Sequence, residues 1–287
     1  MSNLDKVMYP ASGFTKGQVI EYYAKIAPVM VPHVAGRPIT LKRYPNGVDS
    51  QFFYEKNCPK HRPEWMQTVE ISGGGRPGKG DIIGYCLVEE PAALVWTANM
   101  ASLEIHPGLA VKDDIESPTL VVFDLDPGPP AGIVECCTVA LWLREALDKL
   151  GLQGFPKTSG SKGMQVYVPV NTPTTFEATR DFSLAIAQLM ERVHPEMVVT
   201  SQSKELRPKK VLIDWSQNAR HKTTIGVYSL RAREAPTAST PITWDEVEKA
   251  DPDALRFEAA DVLHRVEEHG DLFQPVLQLR QQLPALG

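Results

Sequence analysis

Between residues 119 and 214 the chain alternates apolar runs with amphipathic stretches, and this alternation limits the fold more than any other feature. Strands are expected at 119–124, 165–170 and 210–214, and helices at 131–150 and 175–193. That order calls for a sheet with helices layered on it, so the expected class is α/β (α+β). The 287 residues, 43% hydrophobic and 23% charged, are read as one catalytic domain over 1–287, with an N-terminal segment (residues 1–110) and a sheet-bearing segment (residues 111–287).

The first of these strands, "TLVVFDLDPGPP", closes on Asp124 and Asp126. Alternate residues of an extended chain share a face, so both carboxylates point to one site while Leu125 points away. Two like charges held so close need a cation between them or solvent around them. A third carboxylate, Asp214 in "KKVLIDWSQN", follows another apolar run at an expected strand end. Between them lies "KTSGSKGMQVYV", where Ser159 and Ser161 alternate with glycines beside Lys162, a loop able to offer N–H groups, hydroxyls and an ammonium to phosphate.

The net charge of −5 hides two basic segments. Residues 1–80 carry 11 Lys and Arg against 6 Asp and Glu, and residues 201–233 carry 8 against 2. Such segments suit a groove for a polyanion. Three Asp at strand ends, a phosphate loop and two basic segments together are what two-metal nucleotidyl transfer requires.

Elsewhere, Val19, Tyr23, Ile26 and Met30 mark a helix over 16–34 with Thr15 as its N-cap, and "PITLKRY" and "SQFFYEK" read as a hairpin around "PNGVD". "ISGGGRPGKGD" (71–81) reads as a flexible basic loop. "ALVWTANMASLEIH" reads as a helix or a helix passing into a strand, and the acidic tail carries two more helices. Cys58 and Cys86 stand without a CxxC partner, so no disulfide is expected, and Cys58 with His61 is only half a zinc site. The sequence shows neither a long apolar span nor a signal-peptide core, which places the expected chain in the cytoplasm, associated with the nucleoid, with no membrane contact.

The ordered motifs "DKVMYPASGFTK", "RPITLKRYPNGV", "VFDLDPG", "TSGSKG", "DWSQN", "KTTI" and "YSLR" closely resemble the polymerase domain of bacterial ligase D, a branch of the archaeo-eukaryotic primase superfamily. The resemblance spans nearly the whole chain. It implies a primase-like fold that adds nucleotides, preferentially ribonucleotides, to DNA 3′ ends and fills short gaps during nonhomologous end joining. It also implies two Mn²⁺ or Mg²⁺ ions per site, NTP or dNTP substrates, DNA carrying a 5′-phosphate, a DNA ligase and a Ku-type end-binding partner.

Carried over by position, Asp124, Asp126 and Asp214 resemble the catalytic metal ligands. Ser159, Ser161, Lys162, Lys42, His106, Gln217 and Arg231 resemble nucleotide contacts. Phe53 and Tyr54, followed by Lys56, match the template-stacking pair. Lys6 and Lys16 match lysines that hold a downstream 5′-phosphate. Arg207 in segment 203–210 and Lys222 in "KTTI" match further DNA contacts, and 71–81 matches a mobile loop. Gln165 stands where the family usually has His, which makes it a neutral candidate for the same triphosphate contact. No ligase or nuclease segment follows within these residues, as in a standalone polymerase or a piece cut from a larger ligase.

Two other readings compete. "VVFDLD" also resembles the nucleophile motif of haloacid-dehalogenase phosphatases, although Pro127 and Gly128 replace the usual Gly-Thr. A non-catalytic module gripping gapped DNA is the other, but three carboxylates add nothing to a binder of phosphates.

Overall fold

The computed structural model describes residues 1–73 and 82–284, and the chain divides into two compact units. One comprises Met1–Ile115, Thr223–Ser239 and Phe257–Asp271; the other comprises Glu116–Lys222, Thr240–Arg256 and Leu272–Gly287. The chain crosses to the second unit after Ile115, and two later segments return to the first.

The first unit opens on an antiparallel pair, β1 (Val7–Tyr9) and β2 (Phe14–Thr15), and passes directly into α1 (Lys16–Val34). Thr15 Oγ1 accepts from the Gln18 N–H and Gln18 Oε1 accepts from the Thr15 N–H, a capping box that fixes where α1 begins. Val19, Tyr23, Ile26 and Met30 are fully buried, as their spacing demands. The expected hairpin forms from β3 (Ile39–Arg43) and β4 (Phe53–Glu55), with Lys42 opposite Tyr54. β5 (Thr68–Ser72) and β6 (Ile82–Cys86) complete the order β4-β3-β6-β5. Of the loop expected at 71–81, residues 74–81 lie outside the described residues.

The stretch of open character is α2 (Pro91–Asn99), then a left-handed Ala101, then β7 (Ser102–Pro107), which pairs with β3. β8 (Ala110–Val111) and β9 (Asp114–Pro118) form a short ribbon. Contrary to expectation, Cys58 and Cys86 are joined by a disulfide. The Cys58 N–H donates to Gly84 O at 2.7 Å, which draws the chain after β4 onto β6 and leaves the two Cα atoms 4.9 Å apart, within bridging range. Cys58 therefore has no thiolate for the half zinc site with His61.

The second unit is built on β10 (Leu120–Pro127), α3 (Ile133–Lys149), β11 (Phe155–Thr158), β12 (Met164–Pro169), α4 (Phe176–Val193), β13 (Val198–Val199) and β14 (Val211–Asp214). Its sheet runs β11-β12-β10-β14-β13, antiparallel except for β13 with β14. Val121, Val122, Phe123 and Leu125 of the central strand are all fully buried, because α3 and α4 pack on it and β12 and β14 flank it. The strand does not end at Asp124. It continues to Pro127, because residues 124–127 pair with 211–214 of β14 and the ladder satisfies their backbone.

Toward the C-terminus, α5 (Trp244–Lys249) belongs to the second unit, α6 (Ala259–His269) to the first and α7 (Pro275–Gln278) to the second. The return of 223–239 to the first unit has a polar cause: Tyr22 Oη donates to Tyr228 O at 2.7 Å, and the Ile105 N–H donates to Ser229 Oγ at 2.9 Å.

Candidate active site

Register across the second unit's sheet sets one row of side chains. Lys157 lies opposite Gln165, Gln165 opposite Asp124, and Asp124 opposite Asp214, so the four project from the same face of β11, β12, β10 and β14. Asp126, two residues beyond Asp124, shares that face and is exposed. Burial and the neighbouring Asp126 and Asp214 charges push Asp124 up to about 7, with the Gln165 hydrogen bond acting against them.

Asp214 is buried and already engaged. Its Oδ1 accepts from Gln202 Nε2 at 2.9 Å, from the Ser216 N–H at 3.0 Å and from Ser216 Oγ at 2.6 Å, and its Oδ2 accepts from Gln217 Nε2 at 3.1 Å. Arg207 Nη2 in turn donates to Gln202 O at 2.6 Å and to its Oε1 at 3.0 Å. The structure therefore gathers Gln217 and Arg207 around the third carboxylate. Gln165, only 2% exposed, lies between Lys157 Nζ at 2.6 Å and Asp124 Oδ1 at 3.0 Å, within the row.

Among the described residues no three His, Cys, Asp or Glu side chains are grouped so as to hold a metal ion as they stand. The oxygens of Asp214 accept from Gln202, Ser216 and Gln217. The donor set of Asp124, Asp126 and Asp214 is nonetheless all carboxylate oxygen, which in chemistry fits a hard divalent cation.

The phosphate loop lies on this strand. A Cβ at Gly163 would sit 2.0 Å from Leu125 O, between the two carboxylates of β10, so only glycine allows the approach. The Ser159 N–H donates to Gly163 O at 2.9 Å and the Ser161 N–H to Ser159 Oγ at 3.3 Å, closing a tight turn that leaves Ser161 and Lys162 exposed. Just past the same end of β10, a Cβ on Gly128 would meet Arg207 O at 2.0 Å, which brings segment 203–210 against the strand's end.

The first unit carries a second cluster. Lys42 is directly opposite both Tyr54 on β4 and Glu104 on β7. Lys42 Nζ lies 3.4 Å from Glu104 Oε1 and 4.4 Å from the centroid of Phe52, and Arg231 Nε lies 3.5 Å from the same carboxylate oxygen. Burial raises the pKa of Glu104, but the His106 hydrogen bond and the Arg231 and Lys42 charges outweigh it and hold the group at about 2. Burial lowers His106, and Arg231 and Lys42 add to this against the pull of Glu104. His106 is therefore a neutral ring at pH 7. Its Nε2 stands 2.9 Å from a carboxylate that can only accept, so Nε2 carries the proton.

Phe53 and Tyr54 are both exposed, at 44% and 58%, because β4 is the edge strand. Tyr54 meets His106 edge-on, while Phe53 covers the Arg43 guanidinium. Lys6 and Lys16 flank the β1–β2 pair: the Lys16 N–H donates to Lys6 O at 2.8 Å, and burial together with the Lys6 charge lowers the Lys16 pKa. Lys56 is half-buried, which lowers its pKa, and Lys222 sits in a turn closed onto Ala219.

Sequence reasoning missed Glu104, Phe52, Lys157, Gln202 and Ser216. Glu104 had a partial signal, since it stands two residues before His106 and would share its face if the open stretch were read as a strand. The others become neighbours of the site only through strand register or loop path.

Comparison with known proteins gives consistent findings. Residues 15–273 match the family model described as LigD, primase-polymerase domain. The multifunctional non-homologous end joining protein LigD of Mycolicibacterium smegmatis is 42% identical over 278 residues, covering 96% of this chain and 36% of that protein. The bifunctional non-homologous end joining protein LigD of Bacillus subtilis is 31% identical, covering 94% of this chain and 42% of its own length. The chain thus spans less than half of these relatives. Among solved structures, the polymerase domain of Mycobacterium tuberculosis ligase D in complex with DNA superposes with a TM-score of 0.89 at 37% identity, covering 96% of this chain and 97% of that one.

Proposed function

This chain belongs to the LigD primase-polymerase domain family, and from that premise we propose that it is a nucleotidyltransferase extending DNA 3′ ends and filling short gaps during nonhomologous end joining. Membership sets aside the haloacid-dehalogenase alternative. The observation that carries the catalytic reading is the Asp124–Asp214 pair on adjacent strands with Asp126 on the same face beside it, three carboxylates at one place on the sheet.

Asp124, Asp126 and Asp214 would hold two divalent ions, Mn²⁺ or Mg²⁺. When bound, these ions lower the pKa of an attacking 3′-hydroxyl and offset the triphosphate charge. Lys162 and the Ser161 hydroxyl, both exposed on the 159–163 turn, meet phosphate oxygens, with the Ser159 hydroxyl as a further donor. In the first unit Lys42, His106 and Arg231 serve the incoming nucleotide. With its Nε2–H given to Glu104, His106 keeps an acceptor at Nδ1, which suits a sugar hydroxyl and not a phosphate oxygen. This polarity accords with the proposed preference for ribonucleotides.

Phe53 or Tyr54 stacks on a template base, a contact worth about 1–3 kcal/mol, and Lys56, Arg207 and Lys222 track the phosphate backbone. Lys6 and Lys16 take the 5′-phosphate across the gap. A ligase and a Ku-type end-binding protein complete the proposed setting, at the nucleoid. Among the described residues no helix is long and apolar enough to cross a membrane.

The test is extension of a gapped duplex with labelled ribo- or deoxynucleotides in Mn²⁺ or Mg²⁺. Ribonucleotide addition that needs the divalent ion supports the reading; tight binding of the gap without any extension would favour the non-catalytic module.

A further inference from the structure

From the row across β11, β12 and β10 we infer that Lys157 and Gln165 form a positioning pair that fixes the rotation of Asp124, an inference that rests on Asp124 being a cation ligand. Lys157 is fully buried, and its Nζ lies 2.6 Å from Gln165 Oε1. An ammonium has donors only, so the amide oxygen of Gln165 must face it, and the amide NH₂ is thereby turned to Asp124 Oδ1 at 3.0 Å. The flipped amide would set NH₂ against the ammonium and oxygen against the carboxylate, two repulsive contacts in a buried row. Lys157 is itself held over the Tyr167 ring, 5.1 Å from its centroid.

The spacer explains how a lysine can serve a cation site without spoiling it. An ammonium touching Asp124 would neutralise the carboxylate and compete with a divalent ion. Through the neutral amide, Lys157 dictates geometry without a direct ion pair to Asp124, whose Oδ1 accepts from the amide. Because Lys157–Gln165 and Gln165–Asp124 are directly opposed residues, the sheet sets all three positions, and no other rotamer is needed to build the relay. Such outer partners of a metal ligand tune its affinity.

Calorimetric titration of Mn²⁺ into the protein, free of DNA and nucleotide, tests this without relying on activity. Gln165→Leu and Lys157→Met should each weaken Mn²⁺ binding by about 10–100-fold, and should lower kcat with little change in nucleotide KM. Gln165→His, which restores an N–H donor beside Asp124, should recover most of the affinity. Thermal melting checks folding, and the near-isosteric Gln165→Leu keeps the test decisive if Lys157→Met does not fold. Wild-type Mn²⁺ affinity in folded Gln165→Leu, or equal loss in the Leu and His variants, overturns the pairing. Asp124→Asn separates the two levels: if it too leaves Mn²⁺ binding intact, the cation reading of Asp124 fails and not merely the relay.

Discussion

Asp124 and Asp214 face each other across adjacent antiparallel strands, yet they answer to different neighbours: Gln165 donates to the first, and Gln202, Ser216 and Gln217 donate to the second. One sheet thus presents two carboxylates side by side, one held by a single amide and pushed up in pKa chiefly by burial, the other well supplied with donors. The consequences can be measured.

The first concerns pH. Asp124 is raised from 3.8 to about 7 by burial and by the Asp126 and Asp214 charges. Between those values the folded protein keeps a proton that the unfolded chain has released, so the stability of the metal-free protein falls as pH rises from about 4 to about 7 and levels off above. Thermal midpoints in the presence of a chelator should show this slope, and Asp124→Asn should flatten it. An identical slope in the variant would place the titration elsewhere.

Glu104 predicts the opposite dependence. Held at about 2, it contributes stability that is complete above about 4.5 and is lost as pH falls through 2. Glu104→Gln leaves the cations Lys42 and Arg231 in a buried setting and should cost about 3–5 kcal/mol near neutrality. Denaturant titrations at pH 7 and pH 3 should show that cost shrinking at the lower pH; a constant cost would contradict the charged cluster.

Gly163→Ala would place a Cβ 2.0 Å from Leu125 O, which neither backbone can accommodate without moving. The expected result is a loss of about 1–3 kcal/mol together with a rise in nucleotide KM, because the turn carrying Lys162 is displaced from the carboxylate strand. An unchanged KM in the variant would detach this loop from the triphosphate.

Much of this was legible in the sequence, and the limits have physical causes. The helix at 16–34 and its Thr15 cap were readable because both signals are local, and the strands bearing Asp124 and Asp214 because apolar runs must be buried. The continuation of β10 to Pro127 was hidden, since acidic residues in a strand gain their pairing from β14, remote in sequence. For the same reason Lys157 looked like an ordinary residue before the serine turn. The Cys58–Cys86 bridge, 28 residues apart in sequence, depends on a hydrogen bond from Cys58 to Gly84, which no spacing rule contains.

Lys6 and Lys16 bear on the DNA end. Lys16 is buried beside a like charge that lowers its pKa, an arrangement that a doubly charged terminal phosphate would relieve. Wild type should bind a 5′-phosphorylated gap more tightly than a 5′-hydroxyl gap at one fixed salt concentration. With both lysines changed to Ala, that preference should vanish, and the salt dependence should become shallower. Equal affinity of the wild type for the two DNAs would remove the pocket.

The most direct test of the account is single-turnover nucleotide addition to a gapped duplex in Mn²⁺ by wild type and Asp126→Ala, with the DNA dissociation constant measured in parallel. Asp126 is exposed, so the variant should fold and hold DNA as wild type does. Its rate should nevertheless fall by orders of magnitude, since hydroxyl activation and charge neutralisation are lost together. A near wild-type rate at unchanged DNA affinity would contradict catalysis at the aspartate row.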